Sequence, residues 1–253
     1  MFRKRLSKSV HSDASVEVVE ERGVRSLHLG TGAIQSAMRL SRPWDLELAY
    51  TRAMMAFLLF VPRPSDVLMV GLGAGSLAKF IRKHRPDLRI RAVELNPHVV
   101  AAARSYFFLP PDDGFLQVRI DDGAAYVPAH PGSADVILLD GYDAGNQVEA
   151  LATLAFYKAC RHALKPGGVL SVNLWGQDKG FPDYFGRLVE AFDGQVCSLP
   201  VQGKTNTVVL ALEAGEGPIR LEQALGDAAA LGRSWGLDLL RFARELRWAQ
   251  VRA

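Results

Sequence analysis

The chain has little of several features that would indicate a function directly. It contains only two cysteines, Cys160 and Cys197, which argues against a disulfide framework or a cysteine-based metal site and predicts two buried core thiols. No uninterrupted apolar run approaches the roughly 20 residues needed to span a bilayer. The chain also has no large excess of charge of one sign. Thirty Lys and Arg residues face 27 Asp and Glu, a net charge of +3 that does not by itself indicate nucleic-acid binding.

The composition is that of a soluble globular protein, with 49% hydrophobic and 23% charged residues. A length of 253 residues allows one full α/β domain with a small appendage, and therefore one active site. No apolar segment follows the basic start of the chain, so we expect no secretory signal and a cytoplasmic location. His98 and His162 have no matching ligands nearby in the sequence, and no metal is predicted.

Residues 1–43 are interpreted as an N-terminal tail and a small antiparallel β meander, which would serve as a lid or a dimer element. Runs of alternating character are separated by turn residues at Arg22-Gly23 and at Gly30-Thr31-Gly32. The predicted strands are Val16–Glu20, Val24–Leu29 and Ile34–Met38.

Residues 44–213 are interpreted as a Rossmann-like nucleotide-binding catalytic domain. A long helix is predicted from Trp44 to about Phe60, and apolar strands then alternate with helices. This alternation predicts an α/β fold with a doubly wound, mostly parallel sheet, an antiparallel hairpin at its edge, and ligands at the carboxyl ends of the strands. The predicted strands are Asp66–Val70, Arg89–Glu94, Gln117–Ile120, Ala134–Leu139, Val169–Leu174, Gln195–Leu199 and Thr205–Leu212.

Residues 214–253 are interpreted as a C-terminal helical extension. Apolar side chains recur at helical spacing from Leu231 to Ala253, with arginines between them. This pattern predicts a packed terminal helix with a solvated basic face. Binding of RNA or of an anionic surface by that face is the alternative.

A glycine-rich loop follows the first strand of the catalytic domain. Gly71, Gly73 and Gly75 precede a helix, so backbone amides and the helix N-terminus can approach a nucleotide closely. Ser76 stands where a dinucleotide fold prefers Gly or Ala, and the loop alone does not decide between NAD and an adenosyl-sulfonium ligand.

Carboxylates follow the next two strands. Glu94 ends the second strand, where an acid can accept hydrogen bonds from both ribose hydroxyls. Asp122 follows the third strand and can accept from the exocyclic amine of adenine, while Gly123 lets the base lie close. The Asp122-Gly123 pair therefore favours an adenosyl-sulfonium ligand over NAD. An N-cap role for Asp122 is the structural alternative, and the two roles can coexist.

Two further carboxylates, Asp140 and Asp143, follow the fourth strand. Each disfavours ionisation of the other, so their clustering indicates a cationic partner such as a protonated amine. One of them could accept a proton from the attacking nitrogen, whose pKa near roughly 10 keeps it protonated at neutral pH. A solvated turn with Asp143 as a local cap is the alternative.

From about Val24 to Leu212, the chain resembles the spermidine/spermine synthase family, the polyamine aminopropyltransferases. The resemblance rests on Gln35, on Glu47 to Tyr50, on the glycine loop, and on the acidic motifs at Glu94, Asp122 and Asp140 to Asp143. A further match, Phe156 to Gly168, is shared with class I methyltransferase-like sheets and indicates the fold.

The resemblance implies a class I S-adenosylmethionine-dependent methyltransferase-like Rossmann fold. It also implies transfer of an aminopropyl group from decarboxylated S-adenosylmethionine to an amine such as putrescine, with release of methylthioadenosine. Glu94 would hold the ribose, Asp122 the adenine and Gln35 the nucleoside. Asp140, assisted by Tyr50, would orient and deprotonate the amine, and Asp143 would hold a cationic end of the acceptor. A homodimer is common in the family.

The chain departs from the family pattern at four places. Ala74 replaces an Asp that pairs with the donor's ammonium group, Arg52 replaces a Glu, Ala56 replaces a His or Asn, and the segment around Val201 lacks a tyrosine. Ala74 keeps methyl transfer from intact S-adenosylmethionine open, and Arg52 and the missing tyrosine keep a non-catalytic nucleoside-binding protein open. An enzyme that modifies nucleic acid, which would need the basic C-terminal tail to face the site, is the third alternative. The acceptor pocket is expected to be less acidic and less aromatic than is usual in the family.

Overall fold

The structure is a computed structural model that describes residues 4–11, 14–30, 33–143, 146–203, 205–213 and 221–249. It contains an N-terminal antiparallel sheet, a larger mixed sheet of eight strands covered by helices on both faces, and a two-stranded ladder beside the larger sheet. In the described part of the chain, no helix is both long enough and apolar enough to cross a bilayer.

The N-terminal sheet has four strands in the order β1-β2-β3-β4. The three strands predicted from the sequence are present, and an additional strand, β1, precedes them. It was missed because its basic residues indicated a tail. In the structure they lie opposite acids of β2, with Lys4 opposite Glu20 and Lys8 opposite Glu17. The strands are β1 Lys4–His11, β2 Ala14–Glu21, β3 Val24–Leu29 and β4 Ser36–Arg39.

The larger sheet confirms the predicted fold class. The order of its strands is β14-β12-β13-β11-β8-β5-β6-β7. The five strands from β11 to β7 in this order are parallel to one another. The pairs β11-β13, β13-β12 and β12-β14 are antiparallel. The strands are β5 Asp66–Val70, β6 Arg89–Glu94, β7 Leu116–Ile120, β8 Ala134–Leu139, β11 Leu164–Trp175, β12 Val196–Pro200, β13 Asn206–Leu212 and β14 Arg247–Trp248. The two-stranded ladder is β9 Tyr142–Asp143 and β10 Asn146–Gln147.

The helices divide between the two faces of this sheet. Counted along the chain, the first two and the last two helices contribute side chains to one apolar cluster, on one face of the sheet. The fourth, fifth and sixth helices contribute to a second cluster, on the other face. The central strands are buried between these layers, which explains their nearly continuous apolar sequence. The helices are α1 Ala49–Met54, α2 Ser76–His84, α3 Pro97–Tyr106, α4 Gly123–Tyr126, α5 Leu154–Ala163, α6 Phe181–Ala191, α7 Leu221–Trp235 and α8 Leu239–Glu245. Both cysteines are buried thiols, as predicted.

The prediction of one long helix from Trp44 to about Phe60 is wrong in where the helix begins and in its type. Only α1 is α-helical, and it continues as a 3₁₀ helix over Met55–Leu59. The Arg52 guanidinium donates to the backbone oxygens of Leu46 and Glu47, which satisfies these carbonyls outside a helix.

The single C-terminal helix predicted from Leu231 is also wrong. Gly236, with φ of +64°, separates α7 from α8, and the Asp238 carboxylate caps α8 by accepting from the Arg241 amide. Arg247 and Trp248 then form β14, which pairs with β12 and lies outside the predicted hairpin at the sheet edge.

Candidate active site

The glycine loop between β5 and α2 requires glycine at the closest contacts. Gly71 has φ of +91°, and a Cβ there would lie 2.4 Å from the backbone oxygen of Asp140. A Cβ at Gly73 would lie 2.5 Å from the Ser36 hydroxyl oxygen. Gly75 instead packs against Leu109 at the start of α2. The loop therefore joins the end of β5 closely to both the N-terminal sheet and the segment after β8.

Glu94, the last residue of β6, is bonded to this loop. One carboxylate oxygen accepts from the Leu72 amide and the other from the Asn96 amide, both at 2.9 Å. Burial raises the pKa of Glu94, and these backbone amides oppose the rise. Since each carboxylate oxygen has two lone pairs, the group retains acceptor capacity for a ligand.

Asp122 follows β7 and caps α4, because its carboxylate accepts from the Ala124 amide at 2.8 Å. The N-cap role is therefore present. Asp122 and Gly123 also line the cavity described below, so the cap leaves the residue beside a possible ligand.

Asp140 follows β8 and is partly buried. Its Oδ2 lies 3.1 Å from the Tyr50 hydroxyl, which lies 3.0 Å from the backbone oxygen of Gln35 and shares its proton between the two acceptors. Burial raises the pKa of Asp140, while the hydrogen bonds from Asn173 and Tyr50 lower it. The pKa of Tyr50 is raised by burial and by the Asp140 charge, so its hydroxyl stays protonated and donates.

Asn173 and Asn206 complete the surroundings of Asp140 and were not predicted from the sequence. The Asn173 amide nitrogen donates to Asp140 Oδ1 at 2.8 Å, and the Asn206 amide nitrogen donates to Asn173 Oδ1 at 3.0 Å. The available signal was a polar residue in an otherwise apolar, buried strand, because Asn173 lies within β11.

Asp143 belongs by its backbone to β9, and its side chain lies outside the described part of the structure. Its neighbour Tyr142 contributes to the site. Burial of the Tyr142 phenol raises its pKa, so this hydroxyl is protonated at neutral pH.

A cavity of about 460 Å³ collects most of the predicted residues at the carboxyl ends of β5, β6, β7 and β8. Apolar side chains fill the gaps between polar groups, as in ligand-binding clefts generally. Tyr50 and Gly75 do not line the cavity; Tyr50 is hydrogen-bonded to Asp140, and Gly75 packs on Leu109. The predicted site residues that line it are Gln35, Gly71, Gly73, Glu94, Asp122, Gly123 and Asp140.

None of the four departures from the family pattern lines this cavity, and Arg52 and Val201 line a different pocket. Ala74 is fully buried in an apolar cluster with Val99 and Phe107, and its amide donates to the Ser36 hydroxyl. Ala56 and Val201 are buried in the core. Among the described residues, no group of three or more His, Cys, Asp or Glu side chains is arranged to hold a metal ion.

The sequence profile of the spermine/spermidine synthase domain matches residues 47–175. A polyamine aminopropyltransferase of Chromobacterium violaceum is 41% identical over 97% of this chain and 94% of that protein. The chain belongs to the spermine/spermidine synthase family.

Two solved structures place family members and their relatives on the same fold. A probable spermidine synthase from Corynebacterium glutamicum superposes with a TM-score of 0.72 at 20% identity, covering 97% of each chain. Human methyltransferase-like protein 13, in complex with SAH, superposes with a TM-score of 0.67 at 27% identity and covers 75% of this chain and 93% of that one. The same scaffold therefore occurs in both synthases and methyltransferases.

Proposed function

We propose that this protein is a spermidine synthase-like aminopropyltransferase of polyamine biosynthesis. It moves an aminopropyl group from decarboxylated S-adenosylmethionine to an amine such as putrescine and releases methylthioadenosine. The observation that carries the proposal is the partly buried Asp140 carboxylate, which among the described residues is bonded by neutral donors alone, in a cavity that Glu94 and Asp122 also line. The name of the Chromobacterium relative supports it.

The donor co-substrate would occupy the 460 Å³ cavity. Glu94 would accept hydrogen bonds from the ribose hydroxyls, Asp122 would accept from the adenine amine, and Gln35 would contact the nucleoside. Gly71, Gly73 and Gly123 allow close packing of the chain at the cavity wall, because a Cβ atom would lie 2.4 Å from Asp140, 2.5 Å from Ser36 and 2.5 Å from Val70 respectively.

At the reacting end, Asp140 would accept the proton of the attacking amine. The nitrogen lone pair forms the new N–C bond while the C–S bond breaks, and the electron pair of that bond neutralises the sulfonium to a thioether. Burial suits Asp140 to this role, since a raised pKa makes a carboxylate a stronger base. Tyr50 would orient the carboxylate, and Asp143 would hold a cationic end of the acceptor.

Methyl transfer from intact S-adenosylmethionine is the second candidate. Ala74 favours it, because the loop offers no carboxylate at this position to pair with the donor's ammonium group or to repel a donor carboxylate. The structural neighbour with methyltransferase in its name is a second reason to keep it.

Calorimetric titration with decarboxylated S-adenosylmethionine, S-adenosylmethionine and methylthioadenosine tests the donor. We expect tighter binding of the decarboxylated donor and of methylthioadenosine than of the intact donor, and retained affinity in Asp140→Asn. Preference for the intact donor would replace the proposal by methyl transfer. Failure of all three to bind would contradict a nucleoside site.

We further propose a cytoplasmic homodimer in which the N-terminal sheet provides the lid or the dimer element, acting on a small-molecule amine without metal, membrane or nucleic acid. The proposed division is 1–43, 44–213 and 214–253. Sedimentation of the purified protein tests the dimer.

A further inference from the structure

Asn173 is a polar residue buried inside the sheet. It is 4% exposed, and its strand β11 is otherwise apolar around it, apart from Ser171. Burial of an amide is unfavourable unless its donor and acceptor are both bonded. In Asn173 both are, since the nitrogen donates to Asp140 and the oxygen accepts from Asn206.

The pairing of β11 with β13 produces the second contact. Asn173 lies opposite Val208 in this antiparallel ladder. Asn206 precedes Val208 by two residues and therefore lies on the same face as Asn173, in the diagonal position from which a side chain can reach it. Backbone register thus sets the contact between the two amides.

We infer that Asn206 is a positioning residue for Asp140, acting by fixing the orientation of the Asn173 amide. An amide can present either its NH₂ group or its oxygen to a neighbour. Because the Asn206 nitrogen donates to the Asn173 oxygen, the NH₂ group of Asn173 faces Asp140. The reversed amide would place an oxygen against the carboxylate. The functional consequence rests on the proposed role of Asp140 as the base.

The same contacts hold the Asp140 carboxylate in one rotation. Asn173 is bonded to Oδ1 and Tyr50, from α1, to Oδ2. The Asp140 charge in turn acts on titratable groups of neighbouring elements, because it contributes to the raised pKa of Glu94 at the end of β6 and of Tyr142 in β9. Burial disfavours the ionised form of Asp140, and the hydrogen bonds from the two neutral donors, Asn173 and Tyr50, favour it.

The test replaces Asn206 by an acceptor of nearly the same shape. In Asn206→Asp, the ionised side chain can only accept, so the Asn173 NH₂ group turns toward it and its oxygen faces Asp140. The pKa of Asp140, followed by NMR of aspartate labelled with ¹³C at Cγ and assigned with Asp140→Asn, is expected to rise by about one to two units. In the enzyme assay, the acid limb of the kcat/KM profile is expected to move with it.

A double-mutant cycle separates amide reversal from the added charge. Asn206→Asp introduces the same charge in the wild-type and in the Asn173→Leu background. Only the wild-type background contains the Asn173 amide, which can reverse its orientation. We expect the pKa shift in wild type to exceed that in the Asn173→Leu background. Equal shifts in both, or no shift in wild type, would overturn the inference. Unchanged affinity for methylthioadenosine in Asn206→Asp checks that the site remains folded.

The NMR measurement needs no turnover, so the two proposals can fail separately. If the wild-type protein transfers no aminopropyl group, the proposed function fails, while the pKa of Asp140 still tests the contact between Asn206 and Asn173. If transfer is active and Asn206→Asp leaves both the pKa and the pH profile unchanged, the positioning role fails alone.

Discussion

Carboxylates at the two ends of the same sheet have opposite surroundings. At the amino end, Asp66 in β5 is buried and bonded to Arg89 through both carboxylate oxygens, at 2.6 and 2.8 Å, and to Lys165 at 2.6 Å. At the carboxyl end, Asp140 after β8 is partly buried and is bonded to an amide and a phenol. Within the described ranges, no Lys or Arg forms an ion pair with Asp140 or Glu94.

The pKa values respond accordingly. The Arg89 hydrogen bond, with help from Lys165 and against partial burial, lowers the pKa of Asp66 to about 2. Burial raises the pKa of Asp140. Charges at the amino end are neutralised within the protein, which is typical of a structural site. The carboxylate at the carboxyl end lacks its counter-charge, and a cationic ligand such as an amine would supply it.

The largest expected effect is that of Asp140→Asn on activity. Loss of the base should lower kcat/KM by about 10²- to 10⁴-fold. Asparagine can still accept from Asn173 and donate to the Tyr50 oxygen, so the affinity for methylthioadenosine should be unchanged. A loss of activity below tenfold, measured by methylthioadenosine release, would contradict the assignment of the base.

The same variant should be more stable than the wild type at neutral pH. A raised native pKa means that the folded state disfavours the ionised form, so wild-type stability falls as pH rises from the unfolded pKa through the native one. The variant does not titrate there. We expect a melting temperature about 2 to 4 °C higher at pH 8, corresponding to about 1 kcal/mol, and a smaller gain at pH 4. An unchanged melting temperature at every pH would mean that the Asp140 charge does not destabilise the fold.

Asp66→Asn is the matched control at the opposite end. It should lower the free energy of unfolding by about 1 to 3 kcal/mol, because hydrogen bonds to charged groups are lost, while kcat/KM stays within about twofold. A lowered native pKa stabilises the fold above the unfolded pKa and the effect is lost as pH falls toward about 2. The difference from wild type in urea unfolding should therefore shrink in acid. A large loss of activity in a folded variant would break the distinction between the two ends.

Glu94→Gln should weaken nucleoside binding, an effect smaller than the loss of the base. The glutamine side chain has one acceptor oxygen, whereas both oxygens of the Glu94 carboxylate accept hydrogen bonds from backbone amides. One charge-assisted contact with the ribose would also be lost. Calorimetry should give an affinity for methylthioadenosine lower by about 10- to 100-fold. The neighbouring exposed acid Asp121, which does not line the cavity, provides the control Asp121→Asn, and equal losses in both would argue against a specific ribose contact.

The smallest expected effect is that of Asp122→Asn. Asparagine is as good an N-cap as aspartate, so α4 and the melting temperature should be preserved. The contact with the adenine amine should weaken by about 3- to 10-fold. This loss should disappear with an analogue that carries an oxo group in place of the amine, and a loss of the same size with that analogue would contradict the adenine contact.

Glu94, Asp122 and Asp140 could be predicted to line one cavity, because each lies at or just after the end of a predicted strand. In a parallel sheet, this position alone brings them to one edge. Asn173 and Asn206 could not, because their contact depends on the register between β11 and β13. The length of α1 also escaped prediction, since Arg52 bonds to carbonyl groups that a helix would have used.

The most direct test of the account identifies the products of the wild-type enzyme. The protein is incubated in separate reactions with decarboxylated S-adenosylmethionine and with S-adenosylmethionine, each with putrescine, and both nucleoside and amine products are analysed by mass spectrometry. We predict methylthioadenosine and an aminopropylated amine in equal amounts from the decarboxylated donor. S-adenosylhomocysteine together with a methylated acceptor, formed only from the intact donor, would contradict aminopropyl transfer.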